Sequence, residues 1–256
     1  LKEMNCNRLL VESTRMTVST YNSLKGVLKK IPVSTDTTLD TIINTLRSVK
    51  TDTEVESIVK AQRIAEDAFN HILKYIKVGV TEKEIALELD FYMLRHGGEG
   101  LSFETIAVSG KNSSMPHGVP SNKKLENGDF ITMDFGTIMN GYHSDMTRTV
   151  AIGFATDEMK NVYDIVLRAQ QNCLENIKAG VSCKDGDEFA RSVIRNAGYG
   201  QYFTHSTGHG VGVEIHEFPN LSPASDSILQ VGNIVTVEPG IYIPKKFGVR
   251  IEDMAL

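Results

Sequence analysis

The segment Ile76-Lys77-Val78-Gly79-Val80-Thr81 returns as Ile177-Lys178-Ala179-Gly180-Val181-Ser182, and the same offset of 101 residues carries Gly97 onto Gly198. A chain that repeats itself at this distance is constrained to build one unit twice. Each copy opens with a long helical pattern: Val55, Ile58, Ile64, Phe69, Ile72 and Ile76 in the first, and Val162, Ile165, Val166, Ala169 and Ile177 in the second. A Gly-Val-Thr/Ser turn follows, and a second helix starts from it. Thr81 with Glu84 three residues later forms a capping box, and Arg95-His96-Gly97-Gly98 marks where that helix stops.

Beyond its helices each copy carries a hairpin with two acids. In Phe130 to Asp145 the Asn140-Gly141 dipeptide predicts a two-residue turn with both residues at positive φ. That turn pairs Met139 with Tyr142 and, further back, Gly136 with Asp145. Asp134 then shares a face with Asp145, because strand side chains alternate with period two, and the two are diagonal neighbours roughly 7–8 Å apart at the backbone. In the second copy, Val235-Thr236-Val237-Glu238 runs through Pro239-Gly240-Ile241-Tyr242-Ile243 and returns as Val249-Arg250-Ile251-Glu252. A turn centred near Lys245 places Glu238 opposite Glu252. Like charges directly opposite one another repel unless a cation or a proton neutralises them. Any one of these acids alone reads equally well as a solvated strand residue. The four together, flanked by apolar runs in a setting where acids are depleted, point to a metal site. The expected fold is therefore α+β, with two pseudo-symmetric helix-helix-hairpin halves around a curved antiparallel sheet that brings the four carboxylates to one centre.

Between the hairpins lies His205-Ser206-Thr207-Gly208-His209-Gly210-Val211-Gly212. Glycines on both sides of His209 permit close backbone approach, which suits a ligand in a crowded site, and His209 is the fifth expected ligand. Imidazole together with carboxylates favours manganese, iron, cobalt or zinc over an all-oxygen magnesium or calcium site. His117, His205 and His216 are candidate hydrogen-bond donors to a substrate carbonyl or a charged intermediate. His71, His96 and His143 are expected to be structural.

Composition narrows the class. A 256-residue chain can bury a full core, and a formal charge of −5 offers no basis for binding nucleic acid or a membrane surface. Residues Leu1 to Asn5 carry no signal-peptide pattern, and no apolar run is long enough to span a bilayer. Cys6, Cys173 and Cys183 lack metal-binding spacing and suit packing in a reducing, cytoplasmic compartment.

Five motifs in order carry a family resemblance: Met-Asp-Phe-Gly at Asp134, Tyr-His-Ser-Asp-Met-Thr-Arg-Thr at Asp145, Thr-Gly-His-Gly-Val-Gly at His209, Val-Glu-Pro-Gly at Glu238 and Arg-Ile-Glu-Asp at Glu252. From about residue 50 to residue 256 the chain resembles the pitta-bread metallopeptidases, a group that includes methionine aminopeptidases, Xaa-Pro aminopeptidases and prolidases. His205, Tyr242 and Arg250 resemble the proline-specific branch. The resemblance implies two divalent metals, manganese first with cobalt, iron or zinc as alternatives, bridged by Asp145 and Glu252 and activating a water. It implies Glu238 as proton shuttle, His117 near the leaving group, His216 and His205 in the catalytic set, and Tyr242 and Arg250 in contact with substrate. The expected reaction is hydrolysis of the bond before a proline in the second position of a peptide or dipeptide. Methionine aminopeptidase and a non-catalytic peptide- or protein-binding module are the alternatives.

The expected organisation is a remnant of an N-terminal domain plus linker over residues 1–50, with a helix from around Arg15 to Lys30, and the metallopeptidase domain over residues 51–256. Relatives of this kind are expected to continue for one further strand and to dimerise at full length. On that expectation, the hairpin carrying Glu252 is left exposed.

Overall fold

The computed structural model describes residues 6–256, and Leu1 to Asn5 lie outside the described residues. Two compact units divide between Arg47 and Ser48. The first contains a parallel pair of short strands, β1 (Leu9–Leu10) and β2 (Val33–Ser34), and two helices, α1 (Val18–Val27) and α2 (Thr38–Ser48). The helix expected from Arg15 to Lys30 is shorter at both ends, with Thr17 as its N-cap. The helix α2 was not foreseen. Its Thr- and Asp-rich sequence reads as turn rather than helix, and the Asp40 carboxylate ties it to the preceding segment by accepting hydrogen bonds from Ser13 and Thr14.

In the second unit the repeat becomes two helical hairpins. The helices α3 (Asp52–Tyr75) and α4 (Glu82–Arg95) are matched by α5 (Asp157–Asn176) and α6 (Cys183–Asn196). The capping boxes Thr51/Glu54 and Thr81/Glu84 open the first two, and the Thr156 and Ser182 hydroxyls cap the others. Gly79 and Gly180 both sit at φ 92°, a left-handed conformation that glycine adopts without steric cost.

The strands follow the sequence register. Three of them, β3 (Ile106–Ser109), β4 (Phe130–Phe135) and β7 (Met146–Ala151), form one antiparallel sheet in the order β3-β4-β7. The small ladder of β5 (Ile138–Met139) and β6 (Tyr142–His143) pairs Met139 with Tyr142, with Asn140 and Gly141 both at positive φ as a two-residue hairpin turn requires. A second sheet contains β8 (Gly208–Gly210), β9 (Glu217–Leu221), β10 (Val235–Val237) and β13 (Asp253–Ala255) in the order β13-β10-β8-β9, and β11 (Gly240–Ile243) pairs with β12 (Phe247–Arg250). Ile243 pairs with Phe247 and Val237 with Asp253, so one continuous register puts Glu238 opposite Glu252. Glu252 is 1% exposed, and β13 carries the ladder past it at the edge of that sheet.

Alternation then separates core from site. Ile131, Met133 and Phe135 of β4 pack against Ala65, Ile72, Leu89 and Met93 of the first helical pair, while Thr132 and Asp134 point the other way. Val235 and Val237 of β10, with Val249 and Ile251, pack against Val162, Val166, Ala190 and Ile194, while Thr236, Glu238, Arg250 and Glu252 alternate with them. Each fully buried side chain of this size contributes about 1.5–3 kcal/mol, and these two apolar faces hold the polar faces in register. Cys173 and Cys183 are buried free thiols of the second core.

Candidate metal centre

The two polar faces meet in a cavity of about 500 Å³ lined by Asp134, Asp145, His209, Glu238 and Glu252 together with His117, His205, His216 and Arg250. Asp134 pairs with Thr147 across the β4–β7 ladder, and the Thr137–Ser144 hydrogen bond continues the register toward Asp145. Gly208 and Gly210 let the strand bearing His209 press against its neighbours. A Cβ on Gly208 would lie 1.8 Å from the Thr236 carbonyl oxygen, and one on Gly210 would lie 2.5 Å from that of Phe218. Close approach is what the glycines around His209 predicted.

His209 Nδ1 lies 3.0 Å from the Gly210 carbonyl oxygen, so donation there leaves Nε2 as the free lone pair. That Nε2 lies 3.6 Å from Asp145 Oδ2 and 3.4 Å from Glu238 Oε1. Ligand atoms of Asp145, His209 and Glu252 lie within 4.8 Å of one another. Burial, and then the charges of Glu252, Asp134 and Glu238, push the Asp145 carboxyl well above the usual carboxylate range. Burial followed by Glu238 and Asp134 does the same to Glu252, and burial pushes Glu238 up to about 8. Asp134 Oδ1 is buried without a hydrogen-bond partner. An unsatisfied acceptor, an imidazole lone pair and several mutually repelling carboxylates on one point fit divalent cations, which would relieve both the repulsion and the missing hydrogen bond. Asp134 and Glu238 line the same cavity beside this group of three.

Arg250 organises one wall. It is 3% exposed, a buried charge held by its partners. Its Nη2 donates to Asp134 Oδ2 at 2.6 Å, its Nη1 to the Tyr242 hydroxyl at 2.8 Å and the Pro116 carbonyl at 3.2 Å, and its Nε to Thr147 Oγ1 at 3.0 Å. Thr147 in turn donates to Glu252 Oε2 at 2.6 Å. His205 Nε2 lies 2.8 Å from the Tyr242 hydroxyl, and burial lowers the His205 pKa to about 4, so the ring is neutral. Tyr242 was expected to contact substrate. It is 4% exposed, its hydroxyl accepting from Arg250 and close to His205.

The His117 and His216 rings open onto the cavity as exposed residues, and His216 lies 4.3 Å from His209 between ring centroids. His71 lies against Glu88 and Tyr92, and His96 caps α4, away from the cavity. Sequence reasoning missed Thr147, although its spacing two residues after Asp145 places it on the same strand face. It also missed Phe103, Glu104, Ile106 and Asn220 on the cavity wall, which no motif marks.

An Xaa-Pro dipeptidase from Bacillus anthracis shares 45% identity and superposes with a TM-score of 0.93 over 99% of this chain and 70% of that one. An X-Pro aminopeptidase from Thermotoga maritima MSB8 shares 41% identity at a TM-score of 0.91, over 99% of this chain and 71% of that one. The Xaa-Pro dipeptidase of Pyrococcus furiosus is 42% identical over 92% of this chain and 68% of its own length. Residues 56–256 match the model of metallopeptidase family M24, and the chain belongs to that family.

Proposed function

We propose that this protein is a metal-dependent peptidase that hydrolyses the Xaa-Pro bond at the N-terminus of peptides or in dipeptides. The observation that carries the reading is the convergence of Asp134, Asp145, His209, Glu238 and Glu252 on one cavity whose wall is built by the Arg250–Tyr242–His205 chain. Relatives named as Xaa-Pro dipeptidases and an X-Pro aminopeptidase support it.

Two divalent cations on the five ligands, manganese first, would supply Lewis-acid activation of water and of the scissile carbonyl near neutral pH. Glu238 is the proton carrier. Thr236 Oγ1 donates to its Oε1 at 3.2 Å, which orients the carboxylate to accept the proton of the attacking water and return it to the departing proline nitrogen. His216, exposed on the cavity, donates toward the oxygen that gains charge in the tetrahedral stage, and His117 faces the leaving side. Arg250 holds Asp134 in its ligand rotamer and carries the same wall to His205.

The unit ending at Arg47 is read as part of an N-terminal domain plus linker, supported by a family match that begins only at residue 56. A homodimer of the full-length form and a cytoplasmic site of action complete the reading. They are supported by the family resemblance and by buried free thiols.

The test is a rate comparison on Ala-Pro, Ala-Pro-Gly and Met-Ala-Ser with manganese or cobalt present. Cleavage of the first two and not the third is expected. Cleavage of the third alone would transfer the protein to the methionine-specific branch. No cleavage of any of them with metal shown to be bound would overturn the enzymatic assignment.

A further inference from the structure

His216 is a candidate catalytic side chain with no hydrogen bond of its own to hold it. Its ring is exposed and forms no hydrogen bond with the described residues, and its ring contact is with His209. Its position therefore depends on the backbone that carries it into β9. The next residue, Glu217, points to the opposite side, as successive strand residues do, and into the protein. There its Oε1 accepts from the Glu214 backbone N–H at 3.0 Å and its Oε2 from Lys50 Nζ at 3.1 Å. The two side chains are 1% and 4% exposed.

The turn that delivers His216 is folded around this carboxylate. The Gly212 N–H donates to the Glu214 carbonyl oxygen, and a Cβ on Gly212 would lie 2.4 Å from Glu217 Oε2, so bare backbone lies against the charge. Lys50 is itself fixed. Its N–H donates to the Gly232 carbonyl oxygen at 2.8 Å, and Asn233 Nδ2 donates to the Ser48 carbonyl oxygen at 2.8 Å. A lysine is almost never fully buried unless paired, and a buried ion pair is a poor source of net stability compared with apolar packing. Holding a catalytic turn in register is the use left to it.

We propose that Lys50 is a positioning residue for His216, acting through Glu217, so that the segment leading into the metallopeptidase domain is wired to the catalytic wall. The proposal rests on the Xaa-Pro peptidase reading for its kinetic readout, and on ring spectroscopy for one independent of activity. Displacement of a catalytic group by about 1 Å costs on the order of 100-fold in rate, and its signature is a fall in kcat at nearly constant KM.

In the metal-loaded, full-chain protein, Lys50→Met is expected to lower kcat on Ala-Pro by about 10- to 100-fold with KM nearly unchanged. Lys50→Arg recovers most of the loss. In a His216→Ala background the same Lys50→Met change costs less than about twofold, because two changes acting through one side chain are not additive. Equal losses in both backgrounds, or no loss in either, would overturn the proposal.

Where Lys50→Met alone leaves Glu217 uncompensated and the protein unfolded, the neutral pair Lys50→Met with Glu217→Gln is measured in the same two backgrounds against the same criteria. Histidine-ring 1H–15N spectra decide independently of turnover: the His216 signals move while those of His71 and His96 stay, and unmoved His216 signals reject the idea. Wild-type protein that cleaves no Xaa-Pro bond, with the His216 shift still seen on Lys50→Met, would sink the functional reading and leave this inference standing.

Discussion

The two halves of the metallopeptidase unit share one plan and differ in what they add to it. Each supplies a capped helical pair, an apolar strand face and two carboxylates, and α4 and α6 start and end at the same offset as the sequence repeat. The difference begins at the first residue of those helices. In the first half it is Glu82, a fully buried carboxylate that accepts from Ser109, Asn112 and Ser121 and so ties down both ends of the loop carrying His117. In the second half it is Cys183, buried among apolar side chains. There the histidines come instead from β8, β9 and the segments beside them, as His205, His209 and His216. The candidate metal-binding acids are thus symmetric, and the groups that would act on substrate are grafted onto each half by a different device.

The largest expected effect tests the symmetric part. Asp145→Ala from the first half and Glu252→Ala from the second should each lower kcat/KM on Ala-Pro by about 1,000-fold or more, since each would remove a ligand from the group of three closest donors. Calorimetric metal titration should show loss of at least one ion in both variants. A large loss in one and retention in the other would break the equivalence of the halves.

The next effect tests the asymmetric part. Glu82→Ala leaves several buried donors without their acceptor and is expected to destabilise by about 3 kcal/mol or more, with kcat falling about 10- to 100-fold as the His117 loop loosens. Its counterpart Cys183→Ala removes one buried sulfur and should cost about 1 kcal/mol, with kcat unchanged. Urea denaturation alongside turnover measures both. Equal behaviour of the two variants would erase the distinction between the halves.

The smallest effect concerns charge at the junction. In the metal-free protein Glu238 has a pKa of about 8, against an ordinary value near 4.5, so between those limits the folded state holds more protons than the unfolded one. The stabilisation is complete below the ordinary value and is lost as pH rises toward 8. The midpoint of thermal unfolding after chelation is therefore expected to fall by several degrees from pH 5 to pH 8. Saturating manganese should abolish the fall, because cation binding displaces those protons and tightens as pH rises. A flat profile without metal would mean that the carboxylates are already ionised.

What could be read in advance is what local rules govern. Thr81 and Glu84 predict a helix start by their spacing, Asn140-Gly141 predicts a turn by its conformational demand, and from that turn the shared face of Asp134 and Asp145 follows by counting in twos. The second hairpin obeyed the same arithmetic around Lys245, which holds φ 63°. Burial and partnership at long range were decided by packing. Arg250 meets Asp134 across 116 positions and Lys50 meets Glu217 across 167, and Tyr242 is buried to 4% exposure.

The sequence by itself determined the repeated plan and the register of both hairpins, because capping, turn geometry and strand alternation act over a few residues. The tertiary structure alone decided which charged groups are buried against one another, since the low-dielectric setting that makes Glu82, Lys50, Glu217 and Arg250 matter exists only once distant segments have excluded water together.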